Sequence, residues 1–134
     1  YNERGSIYQM RGDFHAALED YNHALHIDDR HYAAYYNRGL TLEELGHYPE
    51  AERDLSQAID LNPSIAPAYE VRGRIRALLE DYGGAITDLQ RYLRMGGGRE
   101  YDNHSEVQSF ILNLRLNRLL SRVIPARFLR GNRF

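Results

Sequence analysis

Gly5, Gly39 and Gly73 recur at intervals of 34 residues along this chain of 134. Three further series keep the same step. Tyr1, Tyr35 and Tyr69 lie four residues before each glycine, Phe14, Tyr48 and Tyr82 nine after, and Ala17, Ala51 and Ala85 twelve after. Such self-similarity marks a stack of like supersecondary units rather than one globular core. Within a unit the pattern predicts two helices. Small residues at Gly39 and Ala51 let them approach closely, while Tyr35, Leu42, Tyr48 and Leu55 fill the remaining space. Glycine inside a helix costs about 1 kcal/mol against alanine, so its recurrence there implies a steric need. Gly12 and Gly46 suit the helix-to-helix turn, Asn62-Pro63 closes the second helix, and Pro67 opens the next. Helices are expected over about 1–11, 14–28, 32–45, 48–61, 66–79 and 82–95. Gly96-Gly97-Gly98 then breaks the chain as a hinge. A last helix begins near Asp102, Asn103 or Ser105 and runs to Ile124 before Pro125.

These residues resemble the tetratricopeptide repeat (TPR) family. The best copy, Tyr32 to Ile65, supplies Tyr35, Gly39, Gly46, Tyr48, Ala51, Leu55, Ala58 and Pro63. The first copy matches with Gly5, Tyr8, Gly12, Phe14, Ala17, Tyr21 and Ala24 but has Asp29 where the proline is expected. The third, Ala66 to Arg99, keeps Gly73, Tyr82, Ala85 and Leu89, whereas Glu80 replaces the turn glycine, Tyr92 the last small residue and Gly97 the proline. The resemblance implies an all-α fold, a right-handed TPR superhelix of helix-turn-helix repeats. Residues 1–99 would hold three repeats, about 1–31, 32–65 and 66–99, the first truncated. Residues 100–125 would form a C-terminal capping helix covering the open end of the stack, and 126–134 a basic tail.

The family binds extended peptides or partner helices in the concave groove made by the first helix of each repeat. Carried over residue by residue, that groove is lined by Asn2, Ser6, Gln9, Tyr36, Asn37, Leu40, Glu43, Glu44, Glu70 and Arg74. Stacked repeats offer the surface preformed, which lowers the ordering cost of capturing a flexible ligand. Chaperone-binding members hold a terminal carboxylate with lysine, asparagine and arginine at five slots. Those slots are Asn2, Ser6, Asn37, Pro67 and Val71 here, and only Asn37 matches, so no cationic donors answer a carboxylate. Glu43, Glu44 and Glu70 instead tilt the groove towards a basic or mixed peptide.

The chain has no cysteine and no lysine, which excludes thiolate metal sites, thiol nucleophiles, lysine Schiff bases and the P-loop. His23, His26 and His31 invite a metal reading, but His31 lies beyond the helix that carries the other two, and solvated histidines fit better. Gly96-Gly97-Gly98 lacks the following Lys-Ser/Thr of a phosphate cradle. Glu43-Glu44 and Asp28-Asp29 are adjacent and point apart on a helix, so they read as solvated charge. With no catalytic constellation, metal or cofactor indicated, the sequence describes a non-catalytic interaction module for a protein or peptide partner.

Charge divides the chain. Residues 1–106 hold all 19 acids against 11 arginines, a net −8, while residues 107–134 hold six arginines and no acid, a net +6. Arg115, Arg118 and Arg122 lie at spacings of three and four on one face of the helix that carries the apolar series Val107, Phe110, Ile111, Leu112, Leu114, Leu116, Leu119, Leu120, Val123 and Ile124, and Arg127, Arg130 and Arg133 continue beyond Pro125 among Phe128, Leu129 and Phe134. Three readings fit this segment: a solvated cap, a homodimer or domain-docking surface, and adhesion to an anionic membrane or nucleic acid. The −8 array opposes polyanions and disfavours nucleic acid. The second and third readings make the alternative function a self-associating or membrane-proximal adaptor acting through this helix. No run of eighteen apolar residues and no signal peptide occurs, so the expected location is cytoplasmic. An opening at Tyr1 without an initiator methionine reads as a segment of a longer protein.

Overall fold

The computed structural model describes residues 1–123, so Ile124, Pro125 and the basic tail at 126–134 lie outside the described residues. Among the described residues eight helices follow one another: α1 Asn2–Met10, α2 Phe14–Ile27, α3 Tyr32–Glu44, α4 Tyr48–Leu61, α5 Ala66–Leu78, α6 Tyr82–Arg94, α7 Gly97–Glu100 and α8 His104–Val123. The first six fall within a residue or so of the periodic expectation.

Local chemistry sets these limits. Asp13 and Asp81 accept from the backbone N–H of Ala16 and Gly84, and His31 Nδ1 accepts from Ala34 N–H, so each caps the helix that follows it. Between α1 and α2, and between α3 and α4, the chain reverses at Gly12 and Gly46 with φ of 80° and 78°. Glu80 occupies the same position before α6 at φ 64°. All three turns keep one hydrogen-bond pattern, seen in Gly46 N–H to the Glu43 carbonyl and Glu80 N–H to the Ala77 carbonyl, so the missing glycine leaves the turn unchanged. At the other ends of the repeats Asn62 is extended, with φ −142° and ψ 90°, and Asp28 repeats this at −139° and 98° without a following proline. Each side chain accepts from the N–H two residues on, Asn62 from Ser64 and Asp28 from Arg30. The Asx turn, common to both, is what ends these helices; Pro63 only reinforces it.

The glycine series has the expected steric role. A Cβ on Gly39 would lie 3.0 Å from Leu55 Cγ, one on Gly73 2.9 Å from Leu89 Cγ, and one on Gly5 2.7 Å from the Tyr21 ring. Ala17, Ala51 and Ala85 are wholly buried opposite them. The main core runs from Ala51 and Leu55 through Tyr69, Val71, Ile75, Ile86 and Leu89 to Val107, Ile111 and Leu114 of α8, which packs against α6.

Gly96-Gly97-Gly98 corrects the expectation of a hinge. Only Gly96 has a positive φ, 82°, and the chain then winds into the short α7 with Gly97 and Gly98 buried. A side chain on Gly97 would run into the Tyr92 ring, and one on Gly98 would lie 2.8 Å from His104 Cα. The Tyr92 hydroxyl is 2.9 Å from the Gly97 carbonyl and 2.8 Å from Asn103 Oδ1. The departures from the repeat pattern at positions 92 and 97 are therefore one arrangement: a large ring fills the space that a small residue leaves open, and Gly97 makes room for it.

Candidate functional site

Successive first helices, α1 with α3 and α3 with α5, touch along one side of the stack more closely than the second helices do on the other. The side lined by the first helices is therefore concave. All ten residues carried over from the repeat resemblance lie on these three helices, and they form two linked groups.

Near the start of the groove, Asn37 Nδ2 donates to Asn2 Oδ1 at 3.1 Å, tying α3 to α1. Gln9 Oε1 accepts from the Tyr21 hydroxyl at 2.7 Å, which fixes the Gln9 amide at the mouth of the groove. Ser6, Gln9, Asn37, Leu40 and Glu44 line a cleft of ≈ 440 Å³ together with Met10, Gly12 and Phe14. Met10 and Phe14 were not among the expected residues. Met10 stands 34 positions before Glu44 in the same register, so the period already pointed to it.

Further along, Arg74 binds two carboxylates at once. Its Nη2 lies 3.0 Å from both Glu43 oxygens and its Nη1 lies 2.8 Å from Glu70 Oε1. The first contact joins α3 to α5. Tyr36 is half-buried beside this triad. Burial raises its hydroxyl above the ordinary tyrosine range, nearby Tyr101, Glu70 and Glu43 add to the shift, and Arg74 opposes it. Tyr101, exposed after α7, stacks on Tyr92 with ring centroids 6.5 Å apart. It lies outside the repeats, where the 34-residue register offers no signal for it.

Charge in the groove is acidic. Glu44 is exposed and free of the triad, and Arg74 is shared between two glutamates, which leaves little positive field for an anionic ligand. Pro67 and Val71 occupy two carboxylate-clamp slots and bring no donor side chain. Of the histidines, His31 caps α3 and His23 packs edge-on against Tyr1 at 5.1 Å. Among the described residues no group of three or more His, Asp or Glu is placed to hold a metal ion.

A second periodic constellation lies outside the groove. Arg4, Arg38 and Arg72 each form a two-pronged ion pair with the aspartate sixteen residues on, Asp20, Asp54 and Asp88, with N–O distances of 2.7–2.9 Å. Arg38 also reaches back to Asn22 Oδ1 at 2.9 Å and Arg72 to Ser56 Oγ at 3.1 Å, so each guanidinium links its own repeat to the preceding one. The signal was present in the sequence as a further 34-residue series.

Tetratricopeptide repeat profiles match residues 1–31 and 32–65, the two copies whose turns, crossings and groove helices are described above. The chain belongs to the tetratricopeptide repeat family. Tetratricopeptide repeat protein 36 from Homo sapiens is 37% identical over 90 residues, covering 67% of this chain and 46% of that protein. The tetratricopeptide repeat and J domain-containing co-chaperone DNJ1 from Cryptococcus neoformans is 29% identical over 96 residues, 72% of this chain and 18% of that protein. This TPR chain thus spans under half of either relative. Among solved structures, the second TPR domain of Spaghetti (RPAP3), bound to HSP90 peptide SRMEEVD, superposes with a TM-score of 0.69 at 29% identity, covering 70% of this chain and 87% of that one.

Proposed function

We propose that this chain is a non-catalytic interaction module that holds an extended peptide, or one face of a partner helix, against α1, α3 and α5. The observation that carries the reading is the preformed cleft between Met10, Leu40 and Phe14, rimmed by Gln9, Asn37 and Glu44. Apolar walls suit an aliphatic or aromatic anchor, and the amides suit the polar backbone of an extended ligand. The TPR structure that holds SRMEEVD supports a peptide as the ligand class. The chemistry of the ligand differs, because a peptide with that many acids would meet Glu43, Glu44 and Glu70 with Arg74 already occupied. The ligand proposed is neutral to basic and is held through its side chains rather than a terminal carboxylate. The repeats at 1–99 supply the groove and α8 covers the end of the stack.

Peptides selected from a random library on the intact chain test this. They should be enriched in arginine or lysine beside an apolar residue, and Asn37→Ala combined with Glu44→Arg should weaken them at least about tenfold, the loss of one hydrogen bond and one charge contact. Glu44 is exposed and Asn37 lies outside the main core cluster, so melting should change little. Selected peptides that ignore both substitutions would rule out the groove.

A further inference from the structure

Helix α8 has two apolar faces, and only one packs against other described residues. Val107, Ile111 and Leu114 are buried against the array. Leu112, Leu116, Leu119 and Val123 are 61%, 54%, 59% and 80% exposed. Their spacing of four, three and four residues sets them in one line, roughly 140° around the helix from the buried face and about 16 Å long. Arg115 and Arg122 border this line on one side. From 107 to 123 the helix has three arginines and no acid, and the sequence beyond it adds Arg127, Arg130 and Arg133 with Phe128 and Phe134, again without an acid.

We infer that the outer face of α8 docks on an anionic lipid surface. The leucine line would enter the boundary between headgroups and acyl chains while Arg115 and Arg122 extend to lipid phosphates. A second copy fits less well. Four side chains fall well short of the roughly 800 Å² per partner that a stable interface buries, and a two-fold pairing of α8 with α8 sets arginine near arginine with no acid to answer it. Nucleic acid would find a leucine ridge at the centre of the face. The acidic array does not prevent the approach. Residues 1–88 carry 16 acids against eight arginines, whereas residues 89–123 carry six arginines against three acids, so the end of the stack that bears α8 is its basic end. At physiological salt, charges more than about 8 Å away are largely screened.

The full 134-residue chain is sedimented with vesicles of phosphatidylcholine alone and of phosphatidylcholine mixed with phosphatidylserine. Binding is expected only with phosphatidylserine and should weaken with added salt. Arg115→Gln with Arg122→Gln should reduce it roughly twenty-five-fold, about fivefold per arginine, and Leu116→Gln with Leu119→Gln should abolish it. All four side chains are exposed, so circular dichroism and melting should match the parent chain. The proposal is overturned by a chain that sediments with neither vesicle or equally with both, or by binding that survives either pair of substitutions. It is also overturned by a concentration-dependent dimer that Leu116→Gln with Leu119→Gln dissolves, since that outcome assigns the face to a second copy.

Discussion

Gly39 and Gly46 are seven residues apart and are glycine for different reasons. At Gly39 the obstacle is Leu55 on the facing helix, 3.0 Å from where a Cβ would lie; at Gly46 nothing lies within 4 Å and the constraint is φ of 78° alone. Gly39→Leu should therefore cost at least about 3 kcal/mol by overpacking the helix crossing, and Gly46→Ala about 1 kcal/mol through backbone strain; urea unfolding distinguishes them. The three Arg–Asp pairs make a graded series. Arg72 and Asp88 are 14% and 3% exposed at the side chain, Arg38 and Asp54 are 25% and 10%, and Arg4 is 60% exposed against Asp20 at 6%. Asp88 also accepts from Arg76 at 3.1 Å. Asp88→Ala leaves a buried guanidinium unanswered and should cost about 3–5 kcal/mol, Asp54→Ala less, and Asp20→Ala least, because water can solvate Arg4. An equal cost at all three positions would show that burial does not govern these pairs.

At the scale of the elements, the six repeat helices were legible because their limits are local: capping side chains, Asx turns and a left-handed turn residue act within a few positions of one another. Glu80 shows how far that holds. It departs from the glycine pattern, yet the turn keeps its geometry because α5 and α6 still pack through Gly73 and Leu89. The joint at 96–103 was misread for the opposite reason. Three glycines in a row suggest freedom, and here each has its own cause: Gly97 lies against the Tyr92 ring, which arrives from α6, Gly98 against Leu93 and His104, and Gly96 takes the positive φ. Tyr92→Phe removes a hydroxyl that satisfies the buried Gly97 carbonyl and reaches Asn103. It should cost about 1–2 kcal/mol, with faster amide hydrogen exchange in α7 and the first turn of α8 than in α3.

Across the whole molecule, stability depends on each repeat meeting the next, and tyrosine burial makes it pH-sensitive. Tyr21, buried between Gly5 and Gln9, is pushed up from 10 to about 12, chiefly by burial. A folded-state value above the unfolded one means that the neutral ring favours folding. Its contribution is complete below pH 10 and is lost as pH rises from about 10 to about 12. Thermal melting should fall across that interval, and Tyr21→Phe should flatten the decline. Tyr36 and Tyr92 shift in the same direction and should sustain the part that remains. The 34-residue register was enough to assign the stack and its helices, and with the repeat resemblance it singled out ten positions that all lie on α1, α3 and α5, because a repeat needs contacts only with its neighbours and each copy restates the same local rules. Pairings between copies were not legible. That Asn37 holds Asn2, that Arg74 reaches across to Glu43, and that one face of α8 is covered while another faces outward all depend on how far each repeat rotates against the next. That rotation is set by side-chain packing across the stack, which no single copy of the pattern contains.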